Sequence, residues 1–314
     1  MRYLNLFILF WGIITVVNAQ ELSPSNQIAI ATDDIYSTSN IPSSINSQMH
    51  QQLSALLSSV GIGSESYYNR FIIRPTYEIA SKEVIESSPP KFVIDVSIGL
   101  SVVNTFSNKV FATYLADFKG IGNSEGRAMA ASIRQLRKEN AQLSRFINDA
   151  RKKIIDYYDS IADRIIKQAY TLASMNQEEE ALFQLNEIPE ESKSYSKALE
   201  AMVAIFQQMS DRECSERLLQ ARALWAASKH GSNLGEIVEL IGGISPKASC
   251  YNDVKAFIKE VGRKTDLIEN REWQLLVNRE KNQHALYMAQ IEAARAVGIA
   301  FAKRNTQPQI NIIR

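Results

Sequence analysis

Between Gln27 and Phe118 the apolar positions recur with the period of strands. Ile28 and Ile30 alternate in a short first run. Ser47 to Val60 then carries Met49, Leu53, Leu56, Leu57 and Val60 at helical spacing, and Gly61 closes that helix. Next, Ile73, Pro75, Tyr77 and Ile79 alternate against Arg74, Thr76 and Glu78, which predicts a strand with Pro75 hinting at an edge position. Phe92, Ile94, Val96, Ile98, Leu100 and Val102 share one face, opposite Asp95, Ser97 and Ser101. After a turn at Asn104 to Asn108, Val110, Ala112, Tyr114, Ala116 and Phe118 line up again. These two segments read as a long antiparallel hairpin. The order β-α-β-β-β followed by a helix predicts an α+β unit, an antiparallel sheet with helices on one face.

From Arg127 onwards the pattern is helical until the last few residues. Arg127 to Ser174 holds no Pro or Gly. Met129, Ile133, Leu136, Leu143, Ile147, Ala150, Ile154, Tyr157 and Ile161 follow three- and four-residue steps, with Asn140 in the expected seam. Phe146, Ile155, Tyr158, Ala162 and Ile166 widen the apolar face, which favours a bundle over a bare coiled coil. One long helix, or two nearly end to end, is expected. Further on, QLNEIPEESKSYSKALEAM from Gln184 aligns without gaps to LIGGISPKASCYNDVKAFI from Leu240. Upstream, AYTLASMNQ from Ala169 matches ALWAASKHG from Ala223 if the second turn is two residues longer. Each copy predicts a helical hairpin followed by a bridging helix, and stacked hairpins make a short all-α helical-repeat domain. A last helix from Asp266 to Arg304, with Trp273, Leu276, Tyr287, Ile291, Ala294, Val297 and Phe301, is expected to cap the array. The tail TQPQINIIR alternates like a strand, consistent with docking on a sheet edge or with disorder.

The first nineteen residues follow a different rule. Arg2 precedes an apolar run from Leu4 to Val17, broken only by Asn5, Gly12 and Thr15. A spanning helix needs roughly 20 apolar residues, so the run is short for one. It ends in Val17-Asn18-Ala19, a signal-peptidase pattern, which predicts a cleaved signal over 1–19 and an exported protein; an uncleaved anchor is the alternative. No Cys stands at the cleavage point. The expected organisation is an α+β domain over 20–136, a long connecting helix over 137–164, helical repeats with a capping helix over 165–304, and a tail over 305–314. Apolar content of 45% and charged content of 22% fit a globular chain, and a net charge of +1 supplies no pull towards nucleic acid or acidic lipid. Charge segregates locally: Arg127 to Lys167 holds ten basic and five acidic residues, and Gln177 to Glu200 holds seven Glu and two Lys. Solvated helix faces that attract each other account for this, and no base-stacking aromatics interleave the basic part. The two cysteines, Cys214 and Cys250, are permitted to pair after export, with free buried thiols as the alternative.

One short stretch carries candidate chemistry. Gly120 to Gly126, GIGNSEG, fits both a glycine-rich nucleotide loop and the G-x-S-x-G nucleophile elbow. An elbow needs a His and an acid from later strands, and none follow; His50 precedes the motif while His230 and His284 sit in helical segments or at a turn. A dinucleotide site needs a parallel βαβ unit, whereas the preceding strand belongs to an antiparallel hairpin. A structural turn is the better account. Gly120 and Gly122 then supply backbone angles closed to other residues, and Asn123 or Ser124 accepts hydrogen bonds from the first free amides of the helix. Glu125 suits the positive helix end, and Ala128, Ala130, Ala131 and Ile133 let the helix sit close on the sheet. No zinc or calcium ligand spacing is present, and no cofactor is expected.

Two resemblances bear on function. Ala169, Leu172, Ala181 and Leu185, and in the second copy Ala223, Ile237 and Ile241, resemble the signature places of tetratricopeptide repeats, though the period is near 55 and no Trp-Leu-Gly is present. Lys119-Gly120-Ile121-Gly122-Asn123-Ser124 with Ala128, Ala131 and Ile133, following a long hairpin, resembles the N-terminal domains of flagellar-assembly-T and related outer-membrane lipoproteins, and more distantly the curli-secretion lipoprotein. The lipid-anchor Cys of that group is missing. The resemblance implies a non-catalytic assembly or scaffolding role at the cell envelope. The signal, the repeat and the failure of each catalytic set predict an exported protein, in the periplasm, on the periplasmic face of the outer membrane or secreted, that binds a protein partner through the repeats. A serine hydrolase using Ser124 and a homo-oligomer built on the long helix are the alternatives.

Overall fold

The computed structural model describes residues 27–37, 40–63, 69–227, 233–264 and 283–305. The signal segment, His230, Trp273, Leu276 and the tail from 306 lie outside them. The chain runs β1 (Ile30–Thr32), α1 (Ser43–Ser59), β2 (Phe71–Ile85), β3 (Lys91–Asn104), β4 (Val110–Gly122), α2 (Glu125–Gln135), a 3-10 turn (Leu136–Glu139) and α3 (Asn140–Ser174). Then follow α4 (Glu178–Leu185), α5 (Tyr195–Ala227), α6 (Leu234–Gly242), α7 (Tyr251–Lys264) and α8 (Gln283–Asn305). A four-stranded sheet is thus followed by helices.

Strand order in the sheet is β1-β2-β3-β4. β2, β3 and β4 pair antiparallel, as their alternation predicts. The first pair corrects the expectation of a purely antiparallel sheet: β1 runs parallel to β2, with Ile30 opposite Phe71 and Thr32 opposite Ile73. The cause is α1, a crossover that returns the chain to the end from which β1 set out. α1 begins at Ser43, one turn before the expected start at Ser47 and directly after Pro42, which serves as its N-cap. Gly61 ends it at φ +74°, a conformation that costs glycine nothing. Pro75 lies in an inner strand, yet its absent N–H faces the side where β1 has run out. There, Tyr36 N donates to Pro75 O at 2.8 Å and Tyr77 N to Tyr36 O at 3.3 Å, bracketing the missing donor.

Tyr77, Ile94, Val96, Ile98, Leu100 and Val102 point to the helices and are buried, whereas Thr113, Leu115, Asp117 and Lys119 of β4 face solvent. Burial on one face only is why each strand alternates. Along α3 the buried positions include Leu143, Ile147, Ala150 and Ile154, then Tyr158, Ala162 and Ile165; Tyr157 and Ile161 are half-buried. The expected 3.5-residue seam therefore slips by one position. A straight helix turns every 3.6 residues and drifts off a heptad when no partner supercoils with it.

One hydrophobic cluster spans Ile28 to Ile165 and takes in Ile188 and Ala198. The first part of α3 therefore shares the core of the sheet, and the α4–α5 loop closes it from the far side. Glu191 in that loop accepts the Ile28 amide at 3.2 Å and Arg151 Nη2 at 3.0 Å. Nearby, Arg70 Nη1 donates to Asn186 O at 2.6 Å, and the Phe106, Phe183 and Phe301 rings stack edgewise or tilted at 5.3 and 5.7 Å. A second cluster joins Ala169, Ala181, Leu182, Met202 and Ala294; a third joins Cys214, Leu218, Ile237, Ile241, Val254 and Phe257. Of the expected last helix, α8 is the described part. It folds back on α4 and α5, where a Cβ on Gly298 would come within 2.9 Å of the Leu182 carbonyl, so only glycine permits the crossing.

Candidate functional site

Ser124 is the N-cap of α2. Its backbone is extended at φ −155°, and its Oγ accepts the Arg127 amide at 3.3 Å, one of the donors a helix start leaves unpaired. Glu125 occupies the first turn and pairs with Lys82 across from β2. Asn123, the alternative cap, is exposed and is not the acceptor. The expectation for the two glycines needs correction. Neither Gly120 nor Gly122 has positive φ, and what they provide is room. A Cβ on Gly120 would stand 2.8 Å from the Ala128 carbonyl carbon and 3.0 Å from the Ser132 amide nitrogen, with the Ala128 oxygen nearer still. On Gly122 it would lie 2.7 Å from Arg127. β4 and α2 thus touch backbone to backbone. The buried small residues on α2 are Ala128, Ala130 and Ser132, while Ala131 is half-buried. Ser132 Oγ bonds Tyr77 Oη at 2.9 Å, and burial raises that phenol's pKa. His50 lies on α1 with Nδ1 3.5 Å from Ser54 Oγ.

Beside this corner lies a cleft of about 480 Å³ between α1 and the α2–α3 junction. Ile45, Met49, Leu53 and Leu57 turn α1 towards the sheet. That leaves Gln48, Gln51 and Gln52, at three- and four-residue spacing, along one wall. Arg134, from the last turn of α2, and Arg137, from the 3-10 turn, form the other wall, and Leu56, Leu136 and Leu143 supply apolar lining. The lining holds two guanidinium groups and no carboxylate. The Oε1 atoms of Gln48 and Gln52 are buried without a hydrogen-bond partner. Sequence reasoning missed this cleft. Its only signal was an uncharged glutamine face on α1 and two arginines three residues apart.

In the helical half, hydrogen bonds recur at a spacing of 56 residues. Ile188 N donates to Leu185 O and Ile244 N to Ile241 O, both at 3.2 Å; Ser192 N donates to Pro189 O and Ala248 N to Ser245 O, both at 3.0 Å. Ahead of each loop an aspartate from the preceding long helix caps it: Asp159 Oδ1 accepts Lys193 N at 2.9 Å, and Asp211 Oδ1 accepts Ser249 N at 2.7 Å. The upstream match is corrected. Ala223 is exposed, and the buried counterpart of Ala169 is Ala221, so the second copy's turn is longer by four residues, not two. Cys214 and Cys250 form a disulfide with Cα atoms 6.0 Å apart, tying α5 to the residue before α7. Glu178, 2% exposed at the start of α4, receives Arg212 of α5 at 2.9 and 3.2 Å.

Among the described residues no helix is long and apolar enough to cross a membrane, and no group of three or more His, Cys, Asp or Glu is placed to hold a metal ion. No protein-family model matches the chain, and no curated protein matches it. Solved structures share part of its shape. The PelC dodecamer from Paraburkholderia phytofirmans aligns over 37% of this chain and 88% of its own, at 10% identity and a TM-score of 0.24. A proposed neuraminyllactose-binding hemagglutinin homolog from Helicobacter pylori aligns over 41% and 92%, at 16% identity and 0.28. A hypothetical protein from Chlamydia trachomatis aligns over 38% and 98%, at 10% identity and 0.24. At this likeness they say nothing of what the chain binds or does.

Proposed function

We propose that the protein is an exported, non-catalytic scaffold of the cell envelope that binds a protein partner through its helical hairpins, read as a tetratricopeptide-like array. The observation that carries this reading is the recurring loop: the α4–α5 and α6–α7 connections repeat the same main-chain bonds and bury Ile188 and Ile244 at matching loop positions. Hairpins stacked in this way present a continuous surface, which is how solenoid repeats bind other chains. On α5 the apolar Leu219 is 70% exposed, which supports a binding surface there. Leu143, Ile147, Ala150 and Ile154 of the long-helix stripe are buried within the chain, which favours the scaffold reading over an oligomer built on that stripe. Export rests on the apolar leader, and Ser124 acts as a cap.

The test is capture from periplasmic extract by the mature chain, with cross-linking to map contacts. A partner cross-linked to α3–α7, and lost in Leu219→Glu, is the expected result. Cross-links confined to the sheet half, or turnover of a small molecule with no partner retained, would sink the reading.

A further inference from the structure

We infer that β4 is a self-association edge: two copies of this chain pair their β4 strands antiparallel about a two-fold axis at Phe118, joining their sheets into one. The two edges of the sheet differ. β1 is three residues long, and Gly63, after α1, bridges to its Ile30. β4 is 13 residues long and pairs with β3 on one side only. It holds no proline, and its one irregularity lies near its start, opposite Val102 and Val103. A row of unpaired amides and carbonyls of that length is a template for another strand.

The side chains on the outer face of β4 choose the occupant. Leu115 is 69% and Ile121 54% exposed, with exposed Asp117 and Lys119 between them. When Phe118 faces Phe118 of a second copy, Asp117 stands opposite Lys119 and Leu115 opposite Ile121, and symmetry makes each pair twice. The neighbouring registers fail. Centring on Asp117 or Lys119 sets like charges against each other, and centring on Ala116 or Gly120 sets a charge against Leu115 or Ile121. Asp117 has no ion-pair partner among the described residues, and Lys119, paired with Asp95 at 3.2 Å, is still 60% exposed. A strand of unrelated sequence has no reason to carry this match, whereas a second copy carries it by construction. Tyr114 and Ala116 point to the helices yet are only half-buried, so the helices leave this edge accessible. Pairing from Tyr114 to Gly122 gives up at most one existing bond, from Gln135 Nε2 to Lys119 O, and a strand amide replaces that donor.

This surface belongs to the sheet half and does not rest on the hairpin reading. Sedimentation equilibrium of the full mature chain, up to about 100 μM, should show a monomer–dimer equilibrium. Asp117→Lys and Lys119→Asp each set like charges at both symmetric contacts, and each alone should weaken the dimer by about tenfold or more. An equimolar mixture of the two variants should restore it, because one then brings lysines and the other aspartates to the paired positions. Leu219→Glu should leave the equilibrium unchanged, which tells failure of the hairpin reading from failure of this one. Circular dichroism establishes that the variants are folded; both altered side chains are exposed. A monomer at every concentration, a dimer that both charge variants keep, or a mixture no tighter than its components would overturn the proposal. So would loss of the dimer in Leu219→Glu, which would move the interface to the hairpins, or dimerisation only after removal of residues 306–314, which would give the edge to the chain's own tail.

Discussion

Gly120 and Gly126 lie six residues apart, and replacing each with alanine should have opposite effects. At Gly120 the new methyl would meet the Ala128 carbonyl carbon at 2.8 Å and the Ser132 amide at 3.0 Å. Carbon contacts are comfortable at about 3.5–4.0 Å, so α2 must retreat from β4 by roughly 1 Å. Both obstacles are main chain of a helix, so no rotamer change relieves them. Overpacking of this kind costs about 1–3 kcal/mol. The retreat also stretches the buried Tyr77–Ser132 bond, now 2.9 Å, which adds about 1 kcal/mol. A loss of about 3 kcal/mol is a large share of a domain stability of about 5–15 kcal/mol. With an m-value of about 2 kcal/mol/M, the urea midpoint should fall by about 1.5 M. At Gly126 a Cβ meets nothing within 4 Å, and alanine there should raise stability by about 0.5 kcal/mol through helix propensity. Urea melts followed by circular dichroism on the two variants decide the matter. Coincident midpoints would refute the claim that the glycines exist for contact distance.

Other consequences are as direct. Ser124→Ala should cost about 1 kcal/mol by uncapping α2; a fluorophosphonate probe should leave the parent protein unlabelled, and labelling that vanishes in the variant would make Ser124 a nucleophile. Burial holds the Glu187 carboxyl above its usual 4.5, with the Arg70 guanidinium pulling part of the way back and the Tyr158 hydroxyl close by. Its native pKa being the higher, its contribution is complete below pH 4.5 and is lost as pH rises through the raised value. Glu187→Gln should accordingly gain stability over the parent at pH about 7 and lose that advantage near pH about 4, read from paired thermal melts. Arg212→Ala leaves the Glu178 carboxylate, 2% exposed, without its partner and should cost about 2 kcal/mol in a denaturant titration; no change would show that water already serves that carboxylate.

The strands were legible because their sheet is wet on one face. Ile94 to Val102 alternate with Asp95, Ser97 and Ser101, and that alternation is burial written into sequence. The helices after the sheet were legible from their apolar spacing, and the loops at Ile188 and Ile244 make matching main-chain bonds where the two segments align. What escaped depended on distance between segments. The parallel pairing of β1 follows from where α1 delivers the chain, and three residues of strand carry no sign of direction. The slip from Tyr157 to Tyr158 is a helix obeying its own pitch. Gly120 and Gly122 were assigned to the right turn for the wrong cause, since spacing cannot tell a permissive φ from a missing Cβ. The cleft was least visible: Gln48 and Arg134 meet only after the sheet has formed between them.

Glu191 sets an order of assembly. The Ile28 amide and the Arg151 guanidinium share this one carboxylate, the former across 163 residues of chain. On the ribosome, β1 emerges long before its acceptor has been translated, and domains generally form from the N-terminus forward. The outer side of β1 is closed at Ile30 by the segment after α1, where Ile30 N donates to Ile62 O at 2.8 Å, and at Ile28 by Glu191 from the loop between α4 and α5, so that last bond at the front of the molecule waits on synthesis of its middle.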